Sequence, residues 1–421
     1  MINVGLIGLG TVGSGVYKTL QDFPNITITK IAVSDINKQR NIDNFDYSLL
    51  TTNPYEIVND SDIDIVVEVI GGIEPALHLL KSAIKNKKHI VTANKELLAK
   101  HGEELFTLAK ENGVVIMYEG AVAGGIPIIM PIKMSLCANK IHRIAAILNG
   151  TTNYILTKMS KENASYEDVL KEAQEMGYAE ANPDGDVEGY DAQYKLATLA
   201  TISFDKRVDV NQIYREGITK ISVQDIAYAK QLGYVIKLIA LAQLNEKGEA
   251  DVRVHPMLLK RTSTLANIHG VTNAVMIDGH PIGRVIFSGA GAGEFPTASS
   301  VAGDVVMIAK SLSFSSIPLP MSRCNHTENA VQIPIGETFN RYYLSILADD
   351  TPGVIGIIGD ICGRNNINIS SILQQESRHE GAAEVVVITG VCKESDIYNA
   401  INQLQNVNSI RKMRNMIRVM E

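Results

Sequence analysis

Ile2-Asn3-Val4-Gly5-Leu6-Ile7-Gly8-Leu9-Gly10-Thr11-Val12-Gly13, beginning one residue into the chain, decides the fold of the first third. Ile2–Leu9 is a strand-like β-branched run, and Thr11–Gln21 carries apolar residues at helical spacing. Between them Gly8, Gly10 and Gly13 fit GxGxxG. In a strand-to-helix turn Gly8 permits the tight bend, Gly10 lets a pyrophosphate approach the backbone, and Gly13 lets helix pack on strand. The helix start at Thr11 and Val12 supplies positive potential. Asp35 ends the second strand about 20 residues further on, where a dinucleotide ribose would be held. Asp35 favours the free ribose of NAD, whereas Lys38 and Arg40 close behind it could hold the 2′-phosphate of NADP. The choice between NAD and NADP stays open.

Outward from this motif, Ile26–Val33, Ile63–Ile70, His89–Thr92 and Val114–Tyr118 read as further strands, alternating with helical patterns at Glu74–Asn86 and Lys95–Asn112. Strands poor in polar residues and separated by helices predict an α/β, Rossmann-like doubly wound parallel sheet over 1–130, covered on both faces. A mixed α+β catalytic and dimerisation domain is expected over 131–320, with helix 297–316 returning to complete the first domain. A Pro-bearing linker follows over 321–340. The last block, 341–421, has the order βαββαβ, which is ferredoxin-like. The segment Gly177–Asp191, with Pro183, Gly185 and Gly189, reads as an acidic loop.

Composition narrows the function. The 421 residues are 45% hydrophobic and 20% charged, which excludes wholesale disorder and coiled-coil rods. A net charge of −7 offers no general attraction to nucleic acid or an anionic membrane, so small-molecule chemistry is favoured. Cys137, Cys324, Cys362 and Cys392 lie too far apart for a disulfide framework or a metal knuckle, and the histidines show no metal-ligand spacing. The uncharged stretch Gly120–Ile132 is shorter than the roughly 20 apolar residues that span a bilayer. With no secretory pattern at the N-terminus, a cytoplasmic location is expected.

Two lysines stand where chemistry belongs. Thr92-Ala93-Asn94-Lys95 follows the fourth strand, and the carboxyl ends of parallel strands are where open α/β sheets place ligands. Asp191 and Lys195 fall four apart on a helix, which anchors an ammonium beside the acidic segment.

These residues resemble homoserine dehydrogenases along nearly the whole chain. The resemblance rests on Gly8–Gly13, Thr92–Lys95, Gly124–Pro127, Asn149–Leu156, Gly177–Lys195 and Gly289–Ala298. Asp350-Thr351-Pro352-Gly353-Val354 is similar to the start of an ACT domain. The resemblance implies reversible NADP- or NAD-dependent reduction of L-aspartate 4-semialdehyde to L-homoserine, on the route to threonine, methionine and isoleucine. It gives Lys195 the acid–base role, Lys95 an assisting place at the same oxygen and near the nicotinamide, and Asp191 the orienting of Lys195. Gly8, Gly10, Thr11, Val12, Gly13, Asp35, Arg40, Thr92 and Gly291 would meet the cofactor. Gly150, Thr151, Tyr178, Glu180 and Asp186 would meet the substrate. Glu119, Val122, Gly124 and Ile126 would wrap a monovalent cation, Na⁺ or K⁺, largely through carbonyls. The ACT module implies an amino-acid effector such as threonine and, with the sheet-rich middle, a homodimer or homotetramer. Two other readings compete. A 2-hydroxy-acid dehydrogenase would need a His–carboxylate pair, which is not apparent, and a non-catalytic amino-acid sensor would keep the dinucleotide fold as scaffold.

Overall fold

The computed structural model describes residues 1–314, 324, 326, 328–376 and 381–420. Strand β1 (Ile2–Ile7) enters helix α1 (Thr11–Leu20) through the glycine turn. Then come β2 (Ile26–Ala32), β3 (Leu50–Thr51), α2 (Tyr55–Val58), β4 (Ile65–Glu68), α3 (Ala76–Lys85), β5 (His89–Thr92), α4 (Lys95–Asn112) and β6 (Ile116–Met117). Their strands form one parallel sheet in the order β3-β2-β1-β4-β5-β6, the doubly wound arrangement expected. β4 and β5 are buried at every residue, because a parallel strand covered on both faces has no polar side.

The chain continues through β7 (Lys140–Ile147), α5 (Gly150–Glu162), α6 (Tyr166–Glu175), the single turn α7 (Asp184–Val187) and α8 (Tyr190–Phe204). After β8 (Tyr214–Arg215) and α9 (Val223–Gln231) come strands β9 (Tyr234–Leu244), β10 (Ala250–Lys260), β11 (Thr272–His280) and β12 (Gly283–Ala290), then α10 (Glu294–Ser313). The acidic segment is therefore not all loop. Pro183 starts a helical turn whose first residues include Asp184 and Asp186, and carboxylates suit that end of a helix. The C-terminal block runs β13 (Phe339–Asp349), α11 (Val354–Arg364), β14 (Ile369–Glu376), β15 (Ala382–Thr389), β16 (Cys392–Lys393), α12 (Glu394–Gln405) and β17 (Ile410–Val419). The βαββαβ order is thus present, with the two-residue β16 added. Much of the start of the expected linker, at 321–323, 325 and 327, lies outside the described residues, as do 315 and 316 at the end of the helix expected over 297–316.

Two compact units result. The first comprises Met1–Leu148, Gln193–Asn211 and Thr272–Ala330. It holds the parallel sheet and the antiparallel strands β12-β11-β7. Helix α10 packs on α1 there, with Ala298, Val301 and Val305 in one core with Val4, Leu6 and Val16. Gly15 permits that approach: a Cβ on it would lie 2.8 Å from the Ala298 methyl. The second unit comprises Asn149–Ala192, Gln212–Val271 and Val331–Glu421. In it β9 and β10 pair antiparallel, β17 lies parallel to β10, and β13, β15 and β14 follow outward. Helices α11 and α12 cover the last strands through a core of Tyr342, Leu344, Ile358, Ile397 and Leu404. Among the described residues no helix is long and apolar enough to cross a membrane.

Candidate active site

The glycine turn is a cradle built from absent side chains. Gly8 takes φ +105°, a conformation that favours glycine, and a Cβ on Gly13 would sit 2.1 Å from the Gly8 carbonyl oxygen. Gly10 faces open space and caps α1 without a side chain, so the helix begins at Thr11 and Val12 with bare backbone. A cleft of about 510 Å³ lies over this turn, with Ser34, Lys38 and Arg40 among its lining residues. Arg40 Nη1 donates to the Leu9 carbonyl (3.1 Å) and Nη2 to the Asp35 carbonyl (2.7 Å), clamping the two cofactor-side segments together. The Asp35 carboxylate is exposed and accepts from Asn37 N at 2.8 Å. Bare amides, a helix start and two cations fit a dinucleotide phosphate chain.

The residues that lead into Lys95 form a network. Thr92 is buried and donates to Glu68 Oε2 at 2.6 Å, while its hydroxyl accepts from Asn94 N at 3.0 Å. Asn94 caps α4 through Leu97 N and donates to Gly72 O. Glu68 also receives Ile70 N and Gly71 N. Burial raises its carboxyl pKa despite those bonds. Glu68 was not among the expected site residues, since it ends an otherwise apolar strand.

Lys195 is 8% exposed, and its Nζ donates to the Leu148 carbonyl at 2.8 Å. In the second unit the following residue, Asn149, caps α5 through Thr152 N, and its Nδ2 donates to both Asp186 Oδ1 (2.7 Å) and Asp191 Oδ2 (3.0 Å). One amide thus gathers two of the expected carboxylates. Thr151 Oγ1 donates to the Tyr178 carbonyl at 2.7 Å, joining two further expected site residues. A Cβ on Gly150 would meet Val271 O at 2.9 Å. Glu180 is exposed, with its carbonyl receiving Gln174 Nε2. Among the described residues no hydrogen bond joins its carboxylate to that cluster.

The loop 119–126 is committed to structure as well. Glu119 is buried, its carboxylate receives the backbone amides of Ile128, Ile129 and Met130, and its own N–H donates to Asp304. Burial raises both carboxyls, that of Asp304 strongly. Val122 and Ile126 are buried, and the Gly124 carbonyl receives Ser300 Oγ at 2.7 Å. Gly124 and Gly291 abut at backbone distance, and a Cβ on Gly291 would collide with the Asn273 amide. Asn273 is fully buried, and among the described residues neither of its amide atoms has a hydrogen-bond partner, which adds a hard oxygen beside that loop. Among the described residues no group of three or more His, Cys, Asp or Glu could hold a metal ion.

Lys95 on α4 and Lys195 on α8 lie in the same unit, with Lys100 Nζ 5.3 Å from the Tyr194 ring centre.

Family models match in three stretches: homoserine dehydrogenase NAD-binding domain over residues 8–119, homoserine dehydrogenase over 127–306, and ACT domain over 342–408. A homoserine dehydrogenase of Synechocystis sp. is 43% identical, the match covering 100% of this chain and 99% of that one. The crystal structure of a homoserine dehydrogenase from Thiobacillus denitrificans superposes with a TM-score of 0.92 at 38% identity, covering 100% of this chain and 98% of the other. A hyperthermophilic archaeal homoserine dehydrogenase in complex with NADPH matches with a TM-score of 0.63 at 28% identity, over 75% of this chain and 99% of its own. With a full-length relative and a full-length structural match agreeing, the chain belongs to the homoserine dehydrogenase family, oxidoreductases that interconvert L-aspartate 4-semialdehyde and L-homoserine with a nicotinamide cofactor, and it carries a C-terminal ACT domain.

Proposed function

We propose that Lys195 is the acid–base group of this reaction and that Lys95 assists at the same substrate oxygen. A bound nicotinamide supplies the hydride in one direction and takes it back in the other. Reduction of the aldehyde puts negative charge on the carbonyl oxygen, so a positioned ammonium lowers the barrier by donating a proton there. In the oxidative direction the amine takes the hydroxyl proton. The observation that carries this reading is the burial of Lys195 with its Nζ held by Leu148 O. Asp191 orients Lys195 one helical turn away and is itself held by Asn149. Asp186 and Glu180 receive the substrate's α-amino group, and Gly150 and Thr151, at the start of α5, receive its carboxylate, with Tyr178 beside them.

Gly8, Gly10, Thr11, Val12 and Gly13 hold the pyrophosphate, and Thr92 and Gly291 lie toward the nicotinamide. The lining of the cleft by Lys38 and Arg40 favours NADP over NAD, and the archaeal relative's NADPH complex points the same way. Carbonyls of Glu119, Val122, Gly124 and Ile126 hold Na⁺ or K⁺, the sodium site expected of the loop. The chain acts as a homodimer or homotetramer, and the ACT domain takes an amino-acid effector. The test is reduction of NADP⁺ by homoserine: Lys195→Ala lowers kcat by roughly 10²–10⁴-fold while circular dichroism stays unchanged. Wild-type rates in both Lys195→Ala and Lys95→Ala would overturn the assignment.

A further inference from the structure

A cavity of about 220 Å³ opens in the first unit between α4 and α8, walled by Leu98 and Phe106 on one side and Ala197 and Thr201 on the other. Cys324 lines it. Tyr118 Oη lies 2.8 Å from Cys324 Sγ. His326 also lines the cavity, with Nδ1 2.9 Å from Asp205 Oδ1, and its Nε2 is buried with no hydrogen-bond partner among the described residues. The Cys324 thiol thus shares a cavity with an imidazole that is itself paired to a carboxylate, the groups that elsewhere activate a sulfur nucleophile.

Arg207 holds His326, Glu328 and Ala330. Arg207 Nη2 donates to the His326 carbonyl at 3.2 Å, Arg207 N to Glu328 O at 2.7 Å, and Ala330 N returns to Arg207 O at 2.7 Å. The other charged groups around the sulfur are Lys133, whose Nζ lies 5.3 Å from the Tyr118 ring centre, and Lys100, Glu103, Lys110 and Arg207 along the cavity lining. Burial pushes the Cys324 thiol up, but His326, Lys133 and the Tyr118 hydroxyl outweigh it and bring the thiol down to about 7. Burial holds Tyr118 well above its ordinary value, so it stays a hydroxyl. By contrast burial pushes Cys362 up to about 11 and raises Cys392.

We propose that Cys324 is a thiolate site that small hydroperoxides enter and oxidise, and that the oxidised sulfur lowers turnover by altering the seam between α4 and α8. The effect on turnover rests on the reading of Lys95 and Lys195, which those two helices carry. His326 takes the thiol proton, and the thiolate attacks one peroxide oxygen. The S–O bond forms as the O–O bond breaks, and the leaving hydroxide, or alkoxide from an organic hydroperoxide, takes the proton back from His326 as water or alcohol. The sulfur is oxidised by two electrons to sulfenic acid and the peroxide is reduced.

The experiment treats the intact enzyme with hydrogen peroxide, traps sulfenic acid with dimedone, maps it by mass spectrometry, and follows homoserine oxidation in parallel samples without dimedone. At pH 7 Cys324 is trapped roughly tenfold faster than exposed Cys137, turnover falls in step, and dithiothreitol restores it. Cys324→Ser keeps basal turnover and loses the peroxide sensitivity, and His326→Asn keeps the thiol but slows its trapping. Labelling of Cys137 ahead of Cys324, or undiminished inhibition in Cys324→Ser, overturns the proposal. Trapping is read by mass alone, so full activity of Lys95→Ala and Lys195→Ala would refute the lysine roles without touching the thiol assignment.

Discussion

Asn149 does three things with one side chain: it caps α5, and it binds Asp186 and Asp191. Asn149→Ala removes the cap, worth about 1 kcal/mol, and lets two neighbouring carboxylates move apart. The expected result is a rise in KM for homoserine together with a fall in kcat, beyond what a urea midpoint shift accounts for; steady-state kinetics beside urea unfolding check it. Lys237 gives a pH signature. It is 3% exposed, and its Nζ donates to Asn153 Oδ1 (2.7 Å), Thr157 Oγ1 (3.3 Å) and Ile268 O (2.6 Å), while burial brings its amine down to about 8. A lysine whose folded pKa lies below its unfolded one disfavours folding while charged in both states. That cost is full below about pH 8 and is relieved as pH rises toward the unfolded value, where the unfolded chain holds more protons. Stability therefore gains up to about 1.4 kcal/mol per pH unit from this group across that window. Lys237→Met should lack that slope in urea melts between pH 8 and 10, and an unchanged slope would refute it. Lys195 and Asp191 were legible because four-residue spacing on a helix is local. Asn149 was not, since its partners lie 37 and 42 positions away, and Lys237 and Glu68 sit inside apolar strands whose pattern gives no sign of a buried polar group.

At the glycine turn two glycines one helical turn apart answer to different causes. Gly13 lacks room because its neighbour is backbone, the Gly8 carbonyl oxygen standing 2.1 Å from where a Cβ would be, whereas a Cβ on Gly10 would meet nothing within 4 Å. Gly13→Ala must push α1 off β1 and so lowers both the melting temperature and NADPH affinity. Gly10→Ala leaves the melting temperature within about 1 °C, since exposed substitutions cost little, yet weakens NADPH binding if the pyrophosphate crosses it. Thermal melts with fluorescence titration of NADPH separate the two, and unchanged affinity in Gly10→Ala would remove that residue from the cofactor site. The alternation of β1, β2, β4, β5 and β6 with α1, α3 and α4 and the βαββαβ order of the C-terminal block were readable, because periodicity and turn residues are written locally, whereas the two-residue β3 and the single turn α2 were too short to show a period. The turn α7 was not, because Pro183 and two glycines signal a loop as strongly as a helix start. The return of α10 to the first 148 residues was expected, but spacing did not disclose that β11 and β12 share that compact unit too, because a chain that leaves a unit and returns to it carries no local mark.

The ACT module is built into the second unit through its last strand. β17 lies parallel to β10, with Met257 opposite Arg418 and Met420 N donating to Leu258 O at 2.9 Å. Arg418 is fully buried, its guanidinium bonded to Glu394 and to Glu216 Oε2 (3.1 Å), and Glu394 is itself fully buried and accepts from Tyr342 Oη. Arg253 on β10, 1% exposed, donates to Thr338 Oγ1 and Asn340 Oδ1. Removing one partner of a buried pair leaves the other charge without compensation, so Arg418→Met should cost about 3–5 kcal/mol, read as a lower urea midpoint. Ending the chain at Pro334 goes further. It removes Thr338, Asn340, Glu394 and Arg418 together, leaving Arg253 without two of its partners and β10 without its β17 partner at Met257 and Leu258, and exposed edges and stranded charges both favour association. The truncated chain is therefore expected to melt well below the full chain and to aggregate in sedimentation. Loss of an amino-acid response after such a truncation would then reflect unfolding as readily as a lost effector. A surface substitution in the module, such as Asp360→Ala on α11, probes regulation without disturbing the buried pairs. A truncated protein that melts at the full-length temperature and sediments as a single species would show that these buried contacts add nothing to the catalytic half.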